Sequence, residues 1–402
     1  CFYLATTRGH ALIIRIQEAL LHIGAGEMQQ HSILAAKSLG LKVIVTDQSA
    51  NAPSVKLADT FIQCSGNDTQ KLLEIALEIN KQNALIGAYS SSDFGLIPVA
   101  TIHAALQLPG CSEAATNIAL NKFESKQCWL KKGVSTPNAF SIKTLEKTTL
   151  SEVEYPIIIK PKDACGSQGI TSANNTQEAE HAIHHAFKYS DEVLVEEYID
   201  GKHYDTIGLM WQGQFIPMGI GNRFFSEPPH HFPLWGHVPS DLTNSLEQSA
   251  FNITANAAIA IGLDFTPIKA DLIFAKGKFY MIEIAPRFHG DVFTSKLIPL
   301  SGIQSPIKAL FEHRLNPNNI QPFNHQAHQK VLWKALFPKQ LENHQQQLEQ
   351  PAFTDLFLNH KKAKIDHKDN TSLIGFIWDT VPENCTFAAH YSKVCKALSA
   401  FL

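Results

Sequence analysis

The chain has 402 residues, 44% of them hydrophobic and 18% charged, with a formal net charge of −3. That length and apolar fraction support two or three domains, each with its own core. The near-neutral charge excludes the basic field of a nucleic-acid binder, and no apolar run reaches the roughly 18 residues of a membrane-spanning helix. Seven cysteines without a C-x-x-C pair read as reduced thiols, so a cytoplasmic location is expected.

Residues 1–19 begin at Cys1 and are broken up by Arg8, His10, Arg15, Gln17 and Glu18; they lack a signal-peptide core and are assigned no role. From Leu20 the pattern alternates strand, turn, helix and strand. Leu20–Ile23 is followed by Gly24-Ala-Gly26-Glu-Met-Gln29, a helix closed by Gly40, and the apolar strand Lys42–Asp47. Asp59–Ile62, a helix near Thr69–Gln82 and Ala84–Tyr89 continue it, which predicts an open parallel sheet covered on both faces. Ser90-Ser-Ser-Asp93 then falls at the carboxyl end of a strand, where such sheets bind ligands. The turn at Gly24 and Gly26, with Asp47 about twenty residues on, is close to a dinucleotide fingerprint. Gln29 stands where the third glycine belongs, so three readings stay open: an NAD loop, a small-molecule substrate loop, or a purely structural turn.

A helical connector over Thr116–Lys132 leads through Gly133-Val-Ser-Thr-Pro137 into a mixed region running to Asn316-Pro317. There the Ile-rich strand Ile157–Lys160 is followed by Asp163-Ala-Cys165-Gly166-Ser167-Gln168-Gly169. A loop of this kind exposes backbone N–H groups in a concave nest suited to phosphate oxygens, and the lysine adds a point charge. The lysine precedes the glycines, so this is not a Walker A loop; alone, it could be an ordinary strand-to-turn transition. Cys165 reads as a small filler. Val193-Leu-Val-Glu196-Glu197-Tyr-Ile199 is an apolar strand ending in acids that, in isolation, would simply be solvated. Asp271 and Glu283 lie on two strands joined by Ala275-Lys-Gly-Lys278, a hairpin that can bring both carboxylates onto one face. Hard oxygen ligands of that type suit Mg2+, and Arg287 adds a fixed cation four residues on. The dull alternative is a surface hairpin with solvated acids.

Of 19 histidines, the pairs His184-His185 and His230-His231 do not suggest a transition-metal site, since neighbours on a helix point apart. His237, in Trp235-Gly-His237-Val-Pro239, is the better functional candidate, in what reads as a polar, proline-rich loop. The tail beyond Lys330 alternates short strands such as Ser372–Trp378 with polar stretches, including the glutamine-rich Gln345–Gln350, and ends in a helix near Ala388–Leu402.

Taken in order, these elements resemble the ATP-grasp superfamily, specifically its carboxylate–amine ligase group, which includes biotin carboxylase and L-amino-acid ligases. The resemblance covers nearly the whole chain from Leu20. It implies an α/β architecture with a Rossmann-like N-terminal parallel-sheet domain over 20–112 and a two-lobed α+β ATP-binding domain over 113–320. The small lid lobe would span about 135–197, with a C-terminal α+β extension over 321–402. Ser91–Gly95, Leu108–Gly110 and Asn121-Lys122 through Pro137 look like the family's linker. By the same similarity Lys122 and Lys160 would contact ATP phosphates, and Gly166, Ser167, Gln168 and Gly169 would form the lid loop. Glu196, Glu197 and Ile199 would hold adenine, and His203 falls at a ribose-binding position. Asp271 and Glu283 match the metal-binding acids for Mg2+ or Mn2+, while Arg287 and His237 would serve catalysis and substrate binding.

The implied reaction is ATP-dependent joining of a small-molecule carboxylate to an amine through an acyl phosphate, without nucleic acid or membrane. Homodimers are common in the family. Two departures stand out. Many members read Glu-x-Asn-Pro-Arg with the Asn on a metal, whereas this chain reads Glu283-Ile-Ala285-Pro-Arg287. The amino-acid ligases often carry a glutamate three residues before the histidine, where Leu234 stands here. The rivals are a biotin-carboxylase-like enzyme using bicarbonate and a nucleotide-binding module without turnover.

Overall fold

The computed structural model describes residues 17–145, 150, 152–164, 166–337, 355–358, 373 and 375–400. Cys165, Gln345–Gln350, Ser372 and the segment before residue 17 lie outside the described residues. Two compact units emerge: Cys1–Thr116 with Ile307–Gln321, and Asn117–Pro306 with Pro322–Leu402.

The first unit is built on strands β1 (Glu18–Ile23), β2 (Lys42–Asp47), β3 (Thr60–Gln63) and β4 (Ala84–Tyr89), all parallel, in the order β3-β2-β1-β4. Helix α1 (Gln30–Ser38) links β1 to β2, α2 (Thr69–Gln82) links β3 to β4, and α3 (Leu96–Ala105) follows β4. The apolar runs read as doubly covered strands do bury Leu21, Ile23, Ile44, Leu85 and Ala88 with Leu72, Ala76 and Ile102 from the helices. Asp68 starts α2 by accepting from Lys71 N at 3.1 Å.

The Gly24 turn is filled from within. Gly24 has φ +101°, and a Cβ added at Gly26 would meet the Gln29 carboxamide at 2.6 Å. Gln29 Nε2 donates to Ser92 Oγ at 2.9 Å, and Asp47 Oδ2 accepts from Ala25 N at 2.8 Å. Both residues that a dinucleotide would need open are therefore spent on the turn itself.

Helix α4 (Glu113–Leu120), which starts in the first unit and ends in the second, and α5 (Lys122–Lys131) replace the single expected connector helix. The break is local chemistry: the Asn121 side chain accepts from Phe123 N and Glu124 N, capping a new helix with Lys122 in its first turn. A small sheet follows, from β5 (Ala139–Ile142), β6 (Ile157–Pro161), β7 (Thr171–Ala173) and β8 (Val193–Glu197), in the order β5-β8-β6-β7. Helix α6 (Thr176–Ala186) covers it through Ala179, Ala182, Ile183 and Ala186.

The large sheet has eight strands in the order β13-β12-β9-β10-β11-β14-β16-β15. They are β9 (Lys202–Trp211), β10 (Gln214–Phe225), β11 (Pro233–Val238), β12 (Thr266–Ala275), β13 (Lys278–Ala285), β14 (Lys330–Leu336), β15 (Asp355–Leu358) and β16 (Gly375–Val381). The strands of the expected C-terminal extension thus continue this sheet. Helix α7 (Asn244–Ile261) packs on one face, where Thr254 Oγ1 lies 2.8 Å from Thr206 Oγ1 of β9. After the short α8 (Ile298–Leu300), α9 (Pro306–Leu315) belongs to the first unit, with Phe311 edge-on to Tyr89. Finally α10 (Phe387–Ala400) packs Val394 on Leu332, Leu336 and Ile377. No described helix is long and apolar enough to cross a membrane.

Candidate active site

The β12–β13 hairpin closes at Lys276 (φ +51°) and Gly277 (φ +77°), a turn whose two left-handed residues match the twist of paired strands. Its register sets Asp271 directly opposite Glu283, and on the other side Asp271 pairs with Asp205 of β9. Three carboxylates therefore stand in a row across three strands. Lys269 Nζ lies 2.7 Å from Asp271 Oδ2 and 3.8 Å from Glu283 Oε1. Arg223 spans two acids, with Nε 2.8 Å from Asp205 Oδ2 and Nη2 2.6 Å from Asp291 Oδ2. Arg287 donates Nη1 to the Phe288 carbonyl at 3.1 Å.

The acids divide the local field unequally. Burial raises the Asp271 pKa, Lys269 opposes it, and Asp205 and Glu283 push it further up. Burial also works against the charge on Glu283, but Lys269, Lys122, Arg287 and Lys160 outweigh it and hold the pKa at about 2. Glu283 is thus the carboxylate at which cations from both lobes of the unit converge.

In the small sheet Lys160 and Glu196 are diagonal neighbours on adjacent strands. Lys160 Nζ lies 2.9 Å from Glu196 Oε2, and Lys126 Nζ of α5 lies 3.5 Å from the same oxygen. Lys126 is fully buried, and burial lowers its pKa to about 8 against the pull of Glu196. Its Nζ donates to Thr136 Oγ1 at 3.1 Å, and Thr136 donates to the Met281 carbonyl at 2.8 Å, tying α5 to β13. One turn earlier, Lys122 Nζ donates to the Ala164 carbonyl at 2.7 Å and so pins the glycine-rich loop. In that loop Gly166, Ser167 and Gly169 have φ of +67°, +60° and +70°. A Cβ at Gly169 would meet Pro161 at 2.7 Å and Tyr189 at 2.8 Å, so only glycine fits there.

Beyond β8, Glu197 N donates to the Asn138 carbonyl at 2.9 Å. Ile199 joins Ile273, Ala275, Tyr280 and Ile282 in an apolar wall beside the acids. His203 lies opposite Arg223 on the acid face of the sheet and packs on Phe225, with ring centroids 4.7 Å apart. Burial lowers its pKa to about 4, with His231 adding to the shift.

His237 needs correction. It is not in a loop but on β11, directly opposite Asn222, whereas Arg223 lies opposite Gly236. Since neighbouring strand residues alternate faces, His237 projects away from the face that carries Arg223, Asp205 and Asp271. Its ring stacks on Phe387 of α10 at 3.7 Å, and Nδ1 donates to the Pro239 carbonyl at 2.9 Å. Burial lowers its pKa to about 4. His237 therefore holds α10 to the sheet and is not brought to the acids.

Sequence reasoning missed Asp205, Arg223, Lys126, Lys269, His289 and Asp291. Lys269-x-Asp271 carried a visible signal, because a lysine two residues away on a strand shares the acid's face. Asp205 and Arg223 are brought together by strand register, and Lys126, His289 and Asp291 by tertiary packing of a helix and a loop.

Residues 33–110 match the family model described as the ATP-grasp N-terminal domain, and residues 119–291 the ATP-grasp domain. D-alanine–D-alanine ligase B of Pseudomonas putida is 29% identical over 184 residues, covering 44% of this chain and 57% of that protein. The chain thus spans little more than half the length of that relative. Formate-dependent phosphoribosylglycinamide formyltransferase of Wolinella succinogenes is 24% identical over 288 residues, with 67% and 70% of the two chains covered. Among solved structures, L-amino acid ligase from Bacillus licheniformis superposes with a TM-score of 0.80 at 18% identity, covering 95% of this chain and 98% of that one. N5-carboxyaminoimidazole synthetase from Staphylococcus aureus, complexed with ADP, gives 0.75 at 15% identity, covering 97% and 98%.

Proposed function

The chain belongs to the ATP-grasp superfamily, and from that premise we propose that it is a ligase joining a small-molecule carboxylate to an amine at the expense of ATP. The carboxylate attacks the γ-phosphorus, ADP leaves, and the amine then displaces phosphate from the acyl phosphate to form an amide. The observation that carries this reading is the facing pair Asp271 and Glu283 with Lys269 beside both, in a field to which Lys122, Arg287 and Lys160 add positive charge. Phosphoryl transfer makes little covalent demand on a protein; it needs neutralised charge and aligned reactants.

Each part of the site has a physical task. Lys160, held by Glu196, and Lys122, bound to the loop it supports, would meet the phosphates, with loop N–H groups as further donors. The wall of Ile199, Ile273 and Ile282 suits an adenine face, beside which Glu197 would meet the adenine edge. His203, buried and neutral, would meet the ribose. Glu196 acts through Lys160 and Lys126, since its Oε2 is already spent on both amines.

The donor set fits a hard divalent cation: Asp271 Oδ1 is buried without a partner, and burial, with like charge beside it, raises that carboxyl's pKa. Asp271 and Glu283 would hold Mg2+ or Mn2+, which would supply neutralisation of the phosphate oxygens. Ala285 offers no ligand. Arg287 would orient the carboxylate or the tetrahedral oxyanion, a role worth about 3 kcal/mol for one well-placed donor.

The test is nucleotide product analysis with a panel of carboxylates and amines. The proposal expects ADP and phosphate, with turnover lost in Lys160→Ala and Glu283→Ala. ADP release unchanged in both variants refutes these assignments, and bicarbonate-stimulated turnover without an amide product moves the reading to carboxylation.

A further inference from the structure

We propose that Asp205, Asp271 and His289 form a cation site of their own, taking a borderline divalent ion such as Mn2+, Co2+ or Zn2+ before any nucleotide binds. The three side chains each offer one ligand atom, and these atoms lie within 4.8 Å of one another. His289 Nε2 is 3.3 Å from Asp205 Oδ2, the edge length of a coordination sphere rather than of a good hydrogen bond.

Unsatisfied groups point the same way. His289 is only 6% exposed, yet neither ring nitrogen has a hydrogen-bond partner. Asp271 Oδ1 is likewise buried without one, while its Oδ2 takes Lys269. Buried polar atoms left unpaired are costly, and a converging set of them calls for an ion or a water. The acids Asp205, Asp271, Glu283 and Asp291 stand here within ion-pair reach of Arg223 and Lys269.

The frame is rigid. Asp205 and Asp271 are register partners on adjacent strands, and Phe293 packs on the His289 ring with centroids 4.8 Å apart. An imidazole ligand separates the candidates, because Mg2+ prefers all-oxygen spheres whereas Mn2+, Co2+ and Zn2+ accept nitrogen. The site shares Asp271 with the nucleotide-associated metal proposed above, so working without nucleotide separates the two ideas.

The experiment titrates chelator-treated full chain with Mn2+ in the absence of ATP, following the ion's electron paramagnetic resonance. One Mn2+ per chain is expected to bind ahead of Mg2+ in competition, with spin-echo modulation from one directly bound imidazole nitrogen. His289→Gln should erase that modulation and weaken Mn2+ by roughly tenfold or more, since even an outer-shell partner commonly contributes that much. No binding, or bound Mn2+ without nitrogen coupling in the wild-type chain, overturns the proposal and leaves a bridging water as the occupant. The wild-type spectrum decides the matter even if the variant fails to fold, and failure here leaves the ATP-dependent reading to its own product assay.

Discussion

Lys160 Nζ lies 2.9 Å from Glu196 Oε2, on a neighbouring strand of the small sheet, with both side chains almost completely buried. Because Lys126 leans on the same oxygen, one carboxylate balances two interior amines. Removing one partner of a buried pair strands the remaining charge, which typically costs about 3–5 kcal/mol. Glu196→Gln should therefore lower unfolding stability by that order in a urea titration and weaken ATP binding with it. A variant as stable as wild type would show that the amines are neutral in the fold.

At the acid row stability and function should separate. Crowding by Asp205 and Glu283, together with burial, makes the ionised Asp271 a liability in the folded state. Asp271→Asn relieves that repulsion, so stability should hold or rise by about 0.5–2 kcal/mol. Turnover should fall roughly 100-fold or more as a metal ligand is lost. Thermal unfolding and steady-state kinetics on one preparation check both halves; a destabilised but fully active variant would contradict the assignment.

His237 should behave as a packing residue. Phenylalanine keeps the stack on Phe387 and loses the bond to Pro239, which costs about 1 kcal/mol. His237→Phe is expected to keep kcat/KM near wild type while lowering the denaturation midpoint. A selective loss of kcat in a stable variant would restore a direct role.

Several imidazoles are buried neutral. Burial lowers the pKa of His22, His203 and His237 to about 4 and that of His289 to about 3. Their folded values lie below the unfolded value of about 6.5, so between those limits the unfolded chain binds more protons than the folded one. The stability they contribute is complete above about pH 6.5 and is lost as pH falls towards 4, by up to about 1.4 kcal/mol per pH unit for each ring. Denaturation at pH 7, 6 and 5 should show this decline, and His22→Gln should shallow it by about one proton. Midpoints flat across that range would contradict it.

What could be read in advance follows the range of the physics. Alternation of apolar segments is local, so the parallel sheet from Leu20 to Tyr89 was legible, as was the acid hairpin with its turn at Lys276-Gly277. Lys160 and Asp271 stood out as candidates by residue type and spacing, whereas Lys122 was singled out only by the family resemblance. Asp205 was not, being the one acid of its strand, with its partner 66 residues further along, at Asp271. Lys126, one turn after Lys122, carries no signal of its own in the sequence; only tertiary packing reveals that it is interior. His237 read as a loop residue because Pro233 and Pro239 flank it, yet the strand pairs on both sides. Asn121 could have been found, since an asparagine ahead of an amphipathic run is a helix start.

The central claim is that a substrate carboxylate is phosphorylated by ATP before the amine arrives. The most direct measurement follows oxygen-18 from a labelled carboxylate into the products of amide formation. Transfer of one labelled oxygen into the released phosphate, alongside ADP, is the predicted result; amide formed with unlabelled phosphate, or with AMP and pyrophosphate, would contradict it.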